Sequence, residues 1–117
     1  AMSEVQGPLT TAMFNVLLAL ADGDRHGYAI LREVAEQSSG EVQLSTGTLY
    51  GIIKRLLADG LIVELRRRPA IADDDQRRRY YRLTDTGRRV AEAEAERMEK
   101  LVARARTSRL LGAPDPI

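Results

Sequence analysis

Seven arginines crowd two short stretches of this chain, Arg66, Arg67 and Arg68 on one side and Arg77, Arg78, Arg79 and Arg82 on the other, with Asp73, Asp74 and Asp75 between them. Seven positive charges against three negative leave a local excess of four in a protein whose formal net charge is only +1. A guanidinium presents a planar fork of donors that matches phosphate oxygens. The chemistry offered is therefore recognition of a polyanion rather than bond-making. The alternative is a solvated loop whose aspartates pair with its own arginines.

A second group of residues points the same way. Between Thr46 and Ala58, successive positions 100° apart put Leu49, Ile52, Ile53, Leu56 and Leu57 on one side of a helix and Gly47, Gly51, Lys54 and Ala58 on the other. Thr48, Tyr50 and Arg55 flank the polar side. Each interior glycine costs a helix about 1 kcal/mol relative to alanine, so two of them on one polar face need a reason. Close approach to a nucleic-acid groove is one, with Lys54 and the hydroxyls of Thr46, Thr48 and Tyr50 reaching bases or phosphates. The plainer account is that Gly47 belongs to a fraying first turn and Gly51 is tolerated.

Other chemistries lack their parts. There is no cysteine, so no disulfide, thiolate metal site or thiol switch is available, and His26 is the single histidine. No nucleophile with a partner base and no nucleotide-binding motif is present, so neither an enzyme nor a cofactor is expected. The longest apolar stretch, Val16 to Ala21, is too short to span a bilayer, and no basic start leads into an apolar run. A cytoplasmic protein is expected. Ala1, ahead of Met2, is expected to take no part in the fold.

The elements that must position these residues follow from periodicity. At 117 residues the chain accommodates one domain with a single core. Leu9 to Ala21 carries two apolar stripes, one through Leu9, Met13, Val16, Leu17 and Leu20 and one through Ala12, Phe14, Leu18 and Ala21, which predicts a helix buried on two faces. A second helix is expected from His26 to Gln37, with Ile30, Leu31 and Val34 inward, and a third after the N-cap Ser45. Leu61 to Leu65 and Tyr80 to Leu83 read as strands of a hairpin with a long polar loop. Thr84 caps a last helix reaching about Arg106, followed by a tail with Gly112, Pro114 and Pro116. Tyr28, Tyr80 and Tyr81 are read as core or strand residues, and His26 as a helix start.

The expected fold is mainly α with a small β-hairpin: a winged helix-turn-helix plus one C-terminal dimerisation helix. Residues 1–8 are a flexible N-terminus, 9–84 the winged domain, 85–108 the dimerisation helix and 109–117 a disordered tail. Ala91, Glu94, Met98, Leu101 and Ala105 follow heptad spacing, and Met13, Phe14 and Leu17 of the first helix are expected to meet them across a two-fold axis. The alternative is that the last helix folds back on its own domain.

Three segments carry a family likeness. His26-Gly27-Tyr28-Ala29-Ile30, then Leu44-Ser45-Thr46-Gly47-Thr48-Leu49-Tyr50 running through Arg55-Leu56 to Gly60-Leu61-Ile62, and Arg79-Tyr80-Tyr81-Arg82-Leu83-Thr84 with Gly87, resemble the PadR family of transcriptional regulators in its short form. The resemblance implies a homodimer on palindromic double-stranded DNA, repression by occlusion near a promoter and release by a small molecule or other signal. By position it implies that Thr46, Thr48, Tyr50 and Lys54 face DNA together with Arg67 and Arg78. The full expected interface is Ser45, Thr46, Gly47, Thr48, Tyr50, Gly51, Lys54 and Arg55 of the helix with Arg67, Arg68, Arg77 and Arg78 of the wing. The wing departs from the family in its length and acidic tip. A protein-interaction module built on the same fold is the alternative.

Overall fold

The computed structural model describes residues 9–65 and 79–112. Within them the chain forms α1 (Thr11–Ala19), β1 (Arg25–His26), α2 (Gly27–Gln37), α3 (Thr46–Ala58), β2 (Ile62–Leu65), β3 (Tyr80–Leu83) and α4 (Asp85–Thr107). The wing arginines Arg67, Arg68, Arg77 and Arg78, the stretch 1–8 and residues 113–117 lie outside the described residues.

Each helix begins on a side chain that accepts from an otherwise orphaned backbone N–H. Thr10 Oγ1 accepts from Met13 N at 3.0 Å, Ser45 Oγ from Thr48 N at 3.1 Å and Thr84 Oγ1 from Gly87 N at 2.9 Å. The cap of α2 is His26, whose Nδ1 accepts from Ala29 N at 3.2 Å, which places the ring proton on Nε2. The helix start expected at His26 is thus found, one residue outside α2.

The sheet is antiparallel in the order β1-β3-β2. Ile62 faces Leu83 and Leu65 faces Tyr80 in the hairpin, while Arg25 faces Tyr81 and His26 faces Tyr80 on the other edge. The hairpin was expected; β1 was not, because two residues are too few to show a period.

The core gathers Met13, Val16 and Leu17 of α1 with Leu20 just after it, Ile30 and Val34 of α2, Leu49, Ile53 and Leu56 of α3, and Leu61, Ile62 and Tyr81. This corrects the expectation for α1. Met13 is 3% exposed and Leu17 fully buried, so both are already covered within the chain itself. Of the two apolar stripes, the one through Met13 and Leu17 fills the chain's own core, leaving Phe14 half-buried and Leu18 exposed. Tyr81 is a buried strand residue, whereas Tyr28 stands 62% exposed under the guanidinium of Arg32, 5.8 Å above its ring. Tyr28 is therefore a surface residue, contrary to its reading as core.

The first turns of α4 return to the same domain. Val90 and Ala91 pack on the core, and Arg88 Nη2 donates to the carbonyl of Ala21 at 2.9 Å. Ala91 thus serves the fold before any partner. Beyond it, Met98 and Ala105 are partly covered, and Leu101 and Val102 are exposed. Glu94 pairs with Arg97 one turn on, and that guanidinium holds its carboxyl below the usual carboxylate range. Residues 109–112, expected as the start of a disordered tail, form a capping turn. Arg109 takes φ 66° and Leu110 N donates to Ala105 O at 2.8 Å.

Candidate nucleic-acid interface

The α3 helix displays the two-sided pattern its sequence dictates. Leu49, Ile53 and Leu56 are buried, Ile52 and Leu57 half-buried, and Gly47, Gly51 and Lys54 exposed. A β-carbon at Gly47 or Gly51 would meet nothing within 4 Å. No packing neighbour and no left-handed backbone therefore explains either glycine. The fold leaves a thin, convex strip along the outside of α3, with Lys54 on it and no ion-pair partner for that lysine among the described residues.

The hydroxyls expected beside this strip divide. Ser45 Oγ accepts from Thr48 N and donates to Thr48 Oγ1 at 3.0 Å, so Ser45 serves the helix start while the Thr48 hydroxyl keeps its proton for an outside acceptor. Thr46 is exposed in the first turn. Tyr50 is 46% exposed, but its hydroxyl is turned against Gly27 at the start of α2. The phenol oxygen expected to reach bases thus lies beside Gly27. Arg55 approaches Asp59 at 3.7 Å, with its side chain still 47% exposed.

The described part of the hairpin carries less free positive charge than the sequence count implies. Arg79 Nη1 meets Glu64 Oε2 at 3.2 Å, and Arg82 forms a two-pronged pair with Asp24, both limbs at 3.0 Å. Two of the seven arginines are thus offset by carboxylates outside the aspartate cluster. Asp24 went unnoticed in the sequence because it lies 58 residues from Arg82. Extending the register of β1 against β3 by one residue brings the two opposite each other.

A polar cleft of about 190 Å3 lies along α2, lined by Arg25, Ala29, Arg32, Glu33 and Glu36, with Arg25 and Glu33 paired at 3.5 Å. Its charged walls give no floor for a flat apolar molecule. No helix of the described residues is long and apolar enough to cross a membrane.

Comparison with known proteins decides what this arrangement belongs to. The family described as "Transcriptional regulator PadR-like family" matches residues 16–93, from the middle of α1 to the first turns of α4. The chain belongs to the PadR-like family. It is a transcriptional regulator, in a family of regulators and not of enzymes, as the missing nucleophile-base pair implied. Transcriptional regulator Rv3488 of Mycobacterium tuberculosis is 33% identical over 87 residues, 74% of this chain and 75% of that one. A 37.1 kDa protein in transposon TN4556 of Streptomyces fradiae is 42% identical over 93 residues; they are 80% of this chain but only 24% of the longer protein. Among solved structures, Bacillus subtilis PadR in complex with operator DNA superposes with a TM-score of 0.62 at 18% identity, over 92% of this chain and 51% of that one. At that identity the likeness is one of fold.

Proposed function

We propose that this PadR-like chain acts in the cytoplasm as a homodimeric repressor that binds a palindromic operator and leaves it in response to a small molecule or other signal. In this reading residues 9–84 are the DNA-binding unit and 85–108 the dimerisation helix. The α3 helix enters the major groove with Gly47, Gly51 and Lys54 foremost, Thr46 and Thr48 toward phosphates, the Tyr50 ring alongside and Ser45 and Arg55 at the margins. Arg67, Arg68, Arg77 and Arg78, on the arms of the hairpin by sequence, add phosphate contacts.

The observation that carries the proposal is the bare strip on α3. Gly51, in the interior of α3, stands in open space, so it weakens the helix without serving the fold, and Gly47 leaves the first turn equally bare. A groove that tolerates no side chain at those positions gives them a purpose. Dimerisation is supported by the exposed apolar residues Leu101 and Val102 on the part of α4 that runs past the core. A two-fold pair of α3 helices reads half-sites about 34 Å apart, one turn of DNA.

The test is a salt titration of operator binding by the Lys54→Ala variant. If Lys54 neutralises one phosphate, the slope of log affinity against log salt falls by about 1. An unchanged slope and affinity would remove Lys54, and with it this face, from the interface.

A further inference from the structure

Gly27 opens α2 and is buried, yet its backbone is not in the left-handed region that calls for glycine. Among the described residues, the nearest atoms that a side chain there would meet all belong to Tyr50. A β-carbon on Gly27 would stand 3.0 Å from Tyr50 Cζ and 3.6 Å from Cε1, and would collide with the hydroxyl. The seat is anchored by its neighbours. It follows the strand pairs Arg25 with Tyr81 and His26 with Tyr80, and His26 Nδ1 holds the first turn of α2 through Ala29 N at 3.2 Å.

On the other side of the contact, Tyr50 is next to Gly51 and 46% exposed. An exposed tyrosine without such a seat moves among its staggered rotamers and sweeps over its surroundings. Here the hydroxyl end lies against Gly27 while the residue as a whole keeps 46% of its surface exposed.

We propose that Gly27 is a positioning residue for DNA reading: its bare Cα seats the Tyr50 hydroxyl and holds the ring as a fixed wall beside the Gly47, Gly51 and Lys54 strip. The inference rests on α3 being the DNA-contacting helix. Fixing one side chain before binding spares the cost of ordering it during binding, which is worth roughly three- to tenfold in affinity. Gly27 itself touches no DNA and acts only through Tyr50.

The test compares Gly27→Ala, Tyr50→Phe and the double variant, with two readouts. The first is the NMR signal of the aromatic ring at position 50 in the free protein. The second is affinity for the operator duplex. Gly27→Ala is expected to shift the Tyr50 ring resonances and to weaken operator binding about tenfold. Tyr50→Phe deletes the colliding oxygen and leaves only the 3.0 Å approach to Cζ, which a ring shift of a few tenths of an ångström relieves, so the double variant should bind within about threefold of Tyr50→Phe alone, a non-additive rescue. Additive losses in the double variant, unshifted Tyr50 resonances in Gly27→Ala, or operator binding by Gly27→Ala at the wild-type level would each overturn the proposal. Should Gly27→Ala fail to fold, the double variant must fold; if it does not, the seat is not limited by the hydroxyl and the inference fails. If wild-type protein does not distinguish operator from random duplex, the DNA reading and the positioning role fall together. The seat is then judged by the ring resonances, which are recorded without DNA.

Discussion

The Cα of Gly87 lies flush against the carbonyl of Leu61, so close that a methyl group at residue 87 would overlap the oxygen. Around this contact Thr84 joins the exit of α3 to the entry of α4. Its N–H donates to Leu61 O at 3.1 Å, and its Oγ1 donates to Gly60 O at 2.7 Å while accepting from Gly87 N at 2.9 Å. Gly60 itself takes φ 74° to turn the chain out of α3. The helix that faces DNA in the proposed function is thereby fixed to the helix that carries the exposed apolar residues.

Gly87→Ala should therefore destabilise the protein although it removes a glycine from a helix. Propensity favours alanine by about 1 kcal/mol, but overpacking costs roughly 1–3 kcal/mol, and a backbone carbonyl in a hydrogen bond cannot yield as a side chain would. A net loss of up to about 2 kcal/mol is expected, seen as a lower melting temperature. An unchanged or raised melting temperature would contradict the packing described.

Gly51→Ala should move stability and DNA affinity in opposite directions. Its β-carbon enters open space in the free protein, so the helix gains up to about 1 kcal/mol. Operator binding should fall if that face lies against DNA. Paired thermal melts and mobility shifts check both signs.

Burial separates two roles that heptad spacing could not. Leu17 is fully buried and Leu101 is 56% exposed. Leu17→Ala should cost about 2–5 kcal/mol of folding stability. Leu101→Lys should leave the melting temperature of the isolated fold near the wild-type value and shift the sedimentation profile from dimer toward monomer.

Stability should fall at high pH through Tyr81. Its burial first, then the nearby Glu64 and Tyr50, raises the phenol above its ordinary value of 10.0, against a smaller opposite effect of Arg79. The unfolded chain ionises first, so this contribution is complete below about pH 10 and is lost as pH climbs toward the folded value. Tyr81→Phe should flatten the fall in denaturation midpoint above about pH 10, and an unflattened curve would place the titrating group elsewhere.

The sequence made local features legible and distant ones opaque. Ser45 and Thr84 could be recognised as caps because a cap hydroxyl binds an N–H only three residues on. The polar strip of α3 follows from 100° steps alone. In α1 two apolar stripes compete for the core, and Met13 and Leu17, expected at a partner, instead pack with Ile30, Leu49 and their neighbours, which periodicity alone does not show. The bonds between Arg82 and Asp24 and the seat of Tyr50 on Gly27 join residues far apart in the chain. Neither leaves a periodic trace. The arginine count overstated the free charge of the hairpin for the same reason, since Glu64 and Asp24 come from outside the cluster.

Operator recognition through α3 is tested most directly by a footprint and mobility-shift titration on the DNA upstream of the protein's own gene, with a random duplex as competitor. The expected result is a protected inverted repeat with half-sites about one helical turn apart, bound at least about a thousandfold more tightly than the competitor and weakening steeply with salt. Equal affinity for the two duplexes, with no protected repeat, would contradict it.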